Sequence, residues 1–236
     1  MAKRESELKF THESYSSTAV KRSLDRTCVA DRAFQNNIVS SVYFDTHDWM
    51  FAHEKASSDY LKTKVRLRWY QKATQDNSIQ NNNETASKCF LEFKRKIGSK
   101  REKVRILMPF SGSEALQSLQ ESTTQTLIKQ HIAEKAPDLL GYDIAPKFVV
   151  RYNRHRYFEP LSRTRISLDT SIQAFSVDRG FAQIFSKIRL NQSVLEVKGD
   201  CDDLPTALRN IHAANLKKAA FSKYYESFVL LTGYQQ

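Results

Sequence analysis

The stretch Lys62-Thr63-Lys64-Val65-Arg66-Leu67-Arg68-Trp69-Tyr70 limits the folds open to this chain more than any other. Side chains on a strand alternate between faces, so Lys62, Lys64, Arg66 and Arg68 share one side while Val65 and Leu67 take the other. A half-buried strand turns its apolar side to the core and a mixed polar side to water. Here the polar side carries four cations and no carboxylate. Like charges lined up on one face repel, so the row calls for an anion to compensate it.

The whole chain leans the same way. Its 37 Lys and Arg against 26 Asp and Glu leave a formal charge of +11. Such an excess suits nucleic acid, a membrane surface or a phosphorylated ligand, with an idle basic surface as the plain alternative. At 236 residues, 40% of them hydrophobic and 27% charged, the composition is that of a soluble globular protein, and a single domain over 1–236 is expected. Cys28, Cys89 and Cys201 form no CxxC pair, which predicts reduced thiols, no disulfide frame and no zinc site. No run of about 18 apolar residues exists to cross a bilayer. The opening Met1-Ala2-Lys3-Arg4-Glu5 lacks the apolar stretch of a signal peptide. A cytoplasmic location is expected.

Period-two alternation and β-branched runs predict strands over 4–11, 38–45, 62–70, 89–96, 100–107, 147–156, 163–170, 182–190 and 193–198. Gly98-Ser99 reads as the tight turn of a hairpin. Residues 13–30, with Val20, Leu24 and Cys28 at spacing four, read as a helix. So do residues 113–135, with Leu116, Leu119, Leu127 and Ile128 as the apolar stripe and Pro137 as the stop. A short helix within 47–60 and closing helices over 204–216 and 219–232 complete the set. Residues 73–87 are low in complexity, and a mobile polar loop is expected there. Strand and crossover helix do not alternate regularly, which argues against a parallel doubly wound sheet. An antiparallel sheet of eight or nine strands tends to curl or close. The expected fold is therefore α+β: a closed antiparallel eight-stranded β-barrel, a tunnel with a charged interior and helices packed outside.

The basic parity recurs from strand to strand. Lys94 with Lys96, then Arg101, Lys103 and Arg105, then Arg151, Arg165, Lys187 with Arg189, and Lys198 fall on the polar sides of their strands. An idle solvent face mixes both signs, so the recurrence points to an interior that binds a polyanion. Single-strand nucleic-acid binders interleave stacking aromatics with basic side chains, yet Trp69 falls opposite Arg66 and Arg68, and neither RRM nor zinc-finger spacing is present. Nucleic acid drops to second rank. A phosphate chain has charge but no base to stack, and Arg forks and Lys ammonium groups both take phosphate oxygens. Glu5, Glu7 and Glu196, on the same faces, suit Mg²⁺ or Mn²⁺, hard cations that share carboxylate and phosphate oxygens. A salt bridge to a neighbouring Lys or Arg is the alternative for each. The six histidines show no ligand spacing, and no Walker loop, GxSxG or HExxH occurs.

Glu5-Ser6-Glu7-Leu8-Lys9 resembles the ExExK signature of the CYTH, or triphosphate tunnel, superfamily. Further stretches sharpen the likeness: Ser41-Val42-Tyr43-Phe44-Asp45-Thr46, Lys64-Val65-Arg66-Leu67-Arg68, Phe90-Leu91-Glu92-Phe93-Lys94-Arg95-Lys96, Leu195-Glu196-Val197-Lys198 and Phe221-Ser222-Lys223-Tyr224. In that order they resemble the VTC branch, the polyphosphate polymerase domain, over roughly residues 4–231. The resemblance implies a basic antiparallel tunnel that moves the γ-phosphoryl of ATP onto a polyphosphate chain with a divalent metal. It implies phosphate contacts at Lys9, Lys64, Arg66, Arg68, Lys94, Arg151, Arg165, Lys198 and Lys223, with Lys96, Lys103 and Arg105 beside them. Glu196 would be the metal ligand, with Glu5 and Glu7 where hydrolytic branches hold metal. Lys9, Arg66, Arg68, Lys94, Glu196 and Lys198 form the implied catalytic set.

Because both Glu5 and Glu7 are present, a tripolyphosphate or nucleoside-triphosphate hydrolase stays open beside the polymerase, and a non-catalytic polyphosphate-binding module is a third reading. Eukaryotic relatives of this branch carry or assemble with a phosphoinositide-sensing domain and membrane helices. This chain shows neither, so it is expected to work alone or with a separate membrane-protein partner, at the membrane periphery.

Overall fold

The structure, a computed structural model, describes residues 6–57, 60–73, 87–177 and 184–234. Glu5, Ala182 and nearly all of the polar 73–87 stretch lie outside the described residues. The chain opens with β1 (Ser6–Glu13), α1 (Ser17–Thr27), β2 (Val29–Ala30), β3 (Asn36–Asp45), α2 (Met50–Ser57) and β4 (Leu61–Lys72). β5 (Lys88–Ile97), β6 (Lys100–Ser111), α3 (Ala115–Ser118) and α4 (Ser122–Lys135) follow. It ends with β7 (Ala145–Glu159), β8 (Thr164–Val177), β9 (Ile184–Arg189), β10 (Gln192–Gly199), β11 (Lys217–Lys218) and α5 (Lys223–Thr232). The long helix expected over 113–135 is broken at Leu119–Glu121 into α3 and α4, and the helix expected over 204–216 is a 3₁₀ segment, Thr206–Ala214. No helix among the described residues is long and apolar enough to cross a membrane.

The chain divides into two compact units, each gathered from three stretches: Met1–Ile38, Arg151–Gln173 and Arg189–Lys223, and then Val39–Val150, Ala174–Ile188 and Tyr224–Gln236. In the first, β1 runs antiparallel to β10, β10 to β8, and β11 lies along β1. The apolar parity of these strands (Phe10, Ile166, Leu168, Leu195, Val197) is buried against Val20 and Leu24 of α1 and against Leu204, Leu208 and Ile211. The other parity is left for charge. In the second unit β4, β5 and β6 form an antiparallel meander. Gly98, with φ of +59°, occupies the first turn position between paired Ile97 and Lys100, a conformation that glycine adopts without steric cost. Val65, Leu67, Leu91 and Phe93 turn inward on the apolar side and are essentially fully buried.

The antiparallel α+β class holds, whereas the closed eight-stranded barrel does not. Among the described residues eleven strands share one sheet in the order β11-β1-β10-β8-β7-β3-β4-β5-β6, with β2 on β7 and β9 on β8, so the path has two ends there. Both ends are built as edges. β6 exposes Lys100, Arg101, Lys103 and Arg105 and contains Pro109, which has no N–H to give a further strand. β11 is two lysines long. The additional strands β2 and β11 have two residues each, too few for a period of two to show in sequence.

Candidate functional site

In the second unit the register of β4, β5 and β6 stacks the predicted cations in rows. Lys62 faces Lys96 and then Arg101; Lys64 faces Lys94 and then Lys103; Arg66 faces Glu92 and then Arg105. With Arg68, which faces Phe90, these opposed positions hold nine cations and a single carboxylate. Directly opposed residues share a face, so this is one continuous basic surface. Arg66 and Arg68 are buried, each about 7% exposed. Arg66 donates from Nη2 and Nε to Glu92 Oε2 at 2.6 and 2.9 Å, and from Nη1 to the Tyr43 hydroxyl at 3.2 Å. Arg68 donates from Nε to Ser41 Oγ at 2.9 Å. Arg105 reaches Glu92 Oε1 at 3.2 Å and lies 3.7 Å over the Phe90 ring. Lys64 stands 6.0 Å from the Tyr224 ring centroid.

On these opposed positions the cations outnumber the carboxylate nine to one. Burial pushes the Glu92 carboxyl up, yet the Arg66 and Arg68 guanidiniums outweigh it and hold it at about 2. Lys94 responds in the opposite sense: burial first, then Arg66 and Arg68, push its ammonium down to about 7. Burial and the two neighbouring guanidiniums both disfavour the charged lysine, and an anion beside it would favour the ammonium again.

The first unit carries a different arrangement, a lattice of ion pairs. Asp169, fully buried on β8, accepts from Arg154 through Nε and Nη2, both at 2.6 Å, and from Lys223 Nζ at 2.6 Å. Glu196 on β10 meets Lys198 Nζ at 2.8 Å and Arg154 Nη2 at 3.4 Å. Glu7 on β1 meets Lys9 at 3.2 Å and Lys198 at 3.4 Å. Lys9 also donates to the Phe221 carbonyl at 3.3 Å. Arg165 pairs in register with Lys198 and so shares this face. Burial raises the pKa of both buried carboxyls, but Arg154 with Lys198 for Glu196, and Arg154 with Lys223 for Asp169, pull each below its ordinary value. The same Glu196 carboxylate lifts Lys198 above its usual value against the cost of burial.

The structure gathers Lys9, Glu7, Arg165, Glu196, Lys198 and Lys223 in one unit and Lys64, Arg66, Arg68, Lys94, Lys96 and Arg105 in the other. Arg151 belongs to neither group. It is exposed, on the side of β7 away from Arg154. Arg154 was missed because Phe148, Val149 and Val150 are apolar on both parities and hide the phase of the strand. The alternation Tyr152, Arg154, Arg156 was the available signal. Glu92 and Asp169 were missed as site residues because sequence shows a carboxylate but not the guanidinium that holds it.

Among the described residues no three His, Cys, Asp or Glu side chains gather into a metal cage. Glu7 and Glu196 nevertheless share one cation, the Lys198 ammonium, 3.4 Å from the first and 2.8 Å from the second. A divalent ion of the kind that needs only one or two carboxylates and takes its other oxygens from phosphate fits that donor set.

The VTC domain family model matches residues 4–232. Solved structures that the chain is similar to include a protein of Pyrococcus horikoshii OT3, 13% identical, covering 96% of this chain and 99% of that one, with a TM-score of 0.47. Another is HpAC1 of Hippeastrum, described as having a dominant triphosphatase activity, 14% identical, covering 98% and 96%, with a TM-score of 0.48. No curated protein matches the chain.

Proposed function

The chain belongs to the VTC domain family, and from that premise we propose that it is a metal-dependent polyphosphate polymerase that moves the γ-phosphoryl group of ATP onto a growing polyphosphate chain. Family membership alone supports an enzyme of the triphosphate tunnel class that acts on phosphate groups. The observation that supports the finer reading is the face of β4, β5 and β6, where the strand register sets nine cations in line with one carboxylate of the same strands, Glu92, and where burial and two guanidiniums push the Lys94 ammonium down to about 7. A phosphate chain, charged at every unit along its length, is the ligand that such a surface lacks.

Phosphoryl transfer asks for in-line positioning and charge neutralisation more than for a protein nucleophile. The terminal phosphate of the acceptor is already ionised, so its oxygen attacks the γ-phosphorus without a strong base. The bond from the γ-phosphorus to the bridging oxygen breaks, and ADP departs with that electron pair. Arg66 and Arg68, held in place by Glu92, Tyr43 and Ser41, present fixed guanidinium edges to phosphate oxygens. Lys94 gains its proton as the anion arrives. In the first unit Lys9, Arg165, Lys198 and Lys223 take phosphate oxygens. Glu196 and Glu7 would hold Mg²⁺ or Mn²⁺, which when bound offsets charge on the phosphate oxygens. Arg154 keeps Glu196 ionised and oriented. A separate membrane-protein partner belongs to the same reading.

Incubation with ATP and Mn²⁺, with and without a short polyphosphate primer, tests the proposal. Products are resolved by chain length and free orthophosphate is measured alongside. Lengthening chains with little orthophosphate are expected; orthophosphate without chains would give the site to hydrolysis. That second reading draws on the adjacent Glu7 and Glu196 carboxylates, the donors that a metal-activated water would need.

A further inference from the structure

The first unit has a polar cavity of about 280 Å³, lined among others by Ser17, Thr18, Lys21, His155, Thr170 and Arg189. His155 and Thr170 follow Arg154 and Asp169 directly in β7 and β8 and therefore point to the opposite side of the sheet from the ion-pair lattice. Every side chain lining the cavity is a hydroxyl or a nitrogen base, and no carboxylate lines it. Lys21 is paired with Asp25 at 2.8 Å, just outside the lining. Arg189 is exposed and, among the described residues, makes no ion pair.

We propose that this cavity is a separate, non-catalytic site for a small phosphate oxyanion, either orthophosphate or the diphosphate group of a larger molecule. Guanidinium, ammonium and several hydroxyls offer donors to one compact volume, which is the donor set phosphate oxygens need. The volume is large enough for a diphosphate group. His155 Nδ1 is engaged with Asn36 Oδ1 at 2.5 Å, which leaves Nε2 for a ligand. Burial and the Lys21 charge lower the His155 pKa, while Asp25 and Asp169 act weakly against them. An anion in the cavity opposes Lys21 and raises that pKa, so His155 reports occupancy.

The test follows the His155 imidazole by NMR across pH in the full chain, with and without millimolar inorganic pyrophosphate, and with His47 as an internal control. The His155 titration is expected to move up by about one unit on adding pyrophosphate. In Arg189→Glu, checked for an unchanged melting temperature, it is expected to stay in place. A response only to vesicles carrying phosphoinositide, lost in Arg189→Glu, upholds the site with a lipid headgroup as the source. No shift with either ligand, or an equal shift in Arg189→Glu, overturns the proposal.

Discussion

Replacing Lys94 by Met isolates one charge in the basic face and gives it a number. In the free protein burial and the Arg66 and Arg68 guanidiniums hold the ammonium at about 7. At pH 7.5 roughly a quarter of the molecules then carry the proton. A bound phosphate chain supplies the missing negative charge and returns Lys94 to its charged form, so binding takes up about three-quarters of a proton at this residue. Titration calorimetry with polyphosphate in Tris, HEPES and PIPES at one pH reads the proton count from the slope of heat against buffer ionisation enthalpy. The ligand's own protons enter equally for wild type and Lys94→Met, so the difference between slopes belongs to Lys94. An uptake larger in wild type by about that amount is expected. Identical slopes would show that Lys94 stays charged in the free protein, and the argument from crowded cations would fail.

The same lysine shapes stability without ligand. Its pKa is lower in the folded chain than in the unfolded one, so the unfolded chain binds the additional proton between pH 7 and about 10, and folding stability should rise with pH across that window. Lys94→Met should melt higher at pH 7 and lose that rise. Asp169→Asn leaves Arg154 and Lys223 facing a neutral amide in a buried site and should cost about 3–5 kcal/mol, read by urea denaturation. A loss below about 1 kcal/mol would place that lattice effectively in water. Glu196→Gln should keep polyphosphate affinity within a few-fold and abolish turnover with ATP and Mn²⁺. Normal turnover would remove Glu196 from metal binding.

Much of this architecture was legible because alternation reports directly on faces. Lys62 to Arg68, Lys94 and Lys96, and Arg101 to Arg105 lie in the strands read from the sequence, and their parities meet on one surface. What period two cannot convey is which strands close and which end. The open ladder follows from Pro109 and the lysine edges of β6 and β11, features that sequence shows but that only pairing turns into boundaries. Arg151 was read in place of Arg154 because an apolar run on both parities carries no phase. The ion pairs of Glu92 and Asp169 join residues 26 and 15 positions apart, a relation that only the register creates.

The basic face of β4, β5 and β6 is tested most directly by the affinity for a long polyphosphate chain. Wild type would be compared with the double variant Arg68→Met and Lys94→Met, which leaves the Arg66–Glu92 pair intact. Each lost charge-assisted contact is worth about 1.5–3 kcal/mol, so affinity should fall by at least a hundredfold while the melting temperature holds or rises. An affinity unchanged within a few-fold would mean that the phosphate chain binds elsewhere.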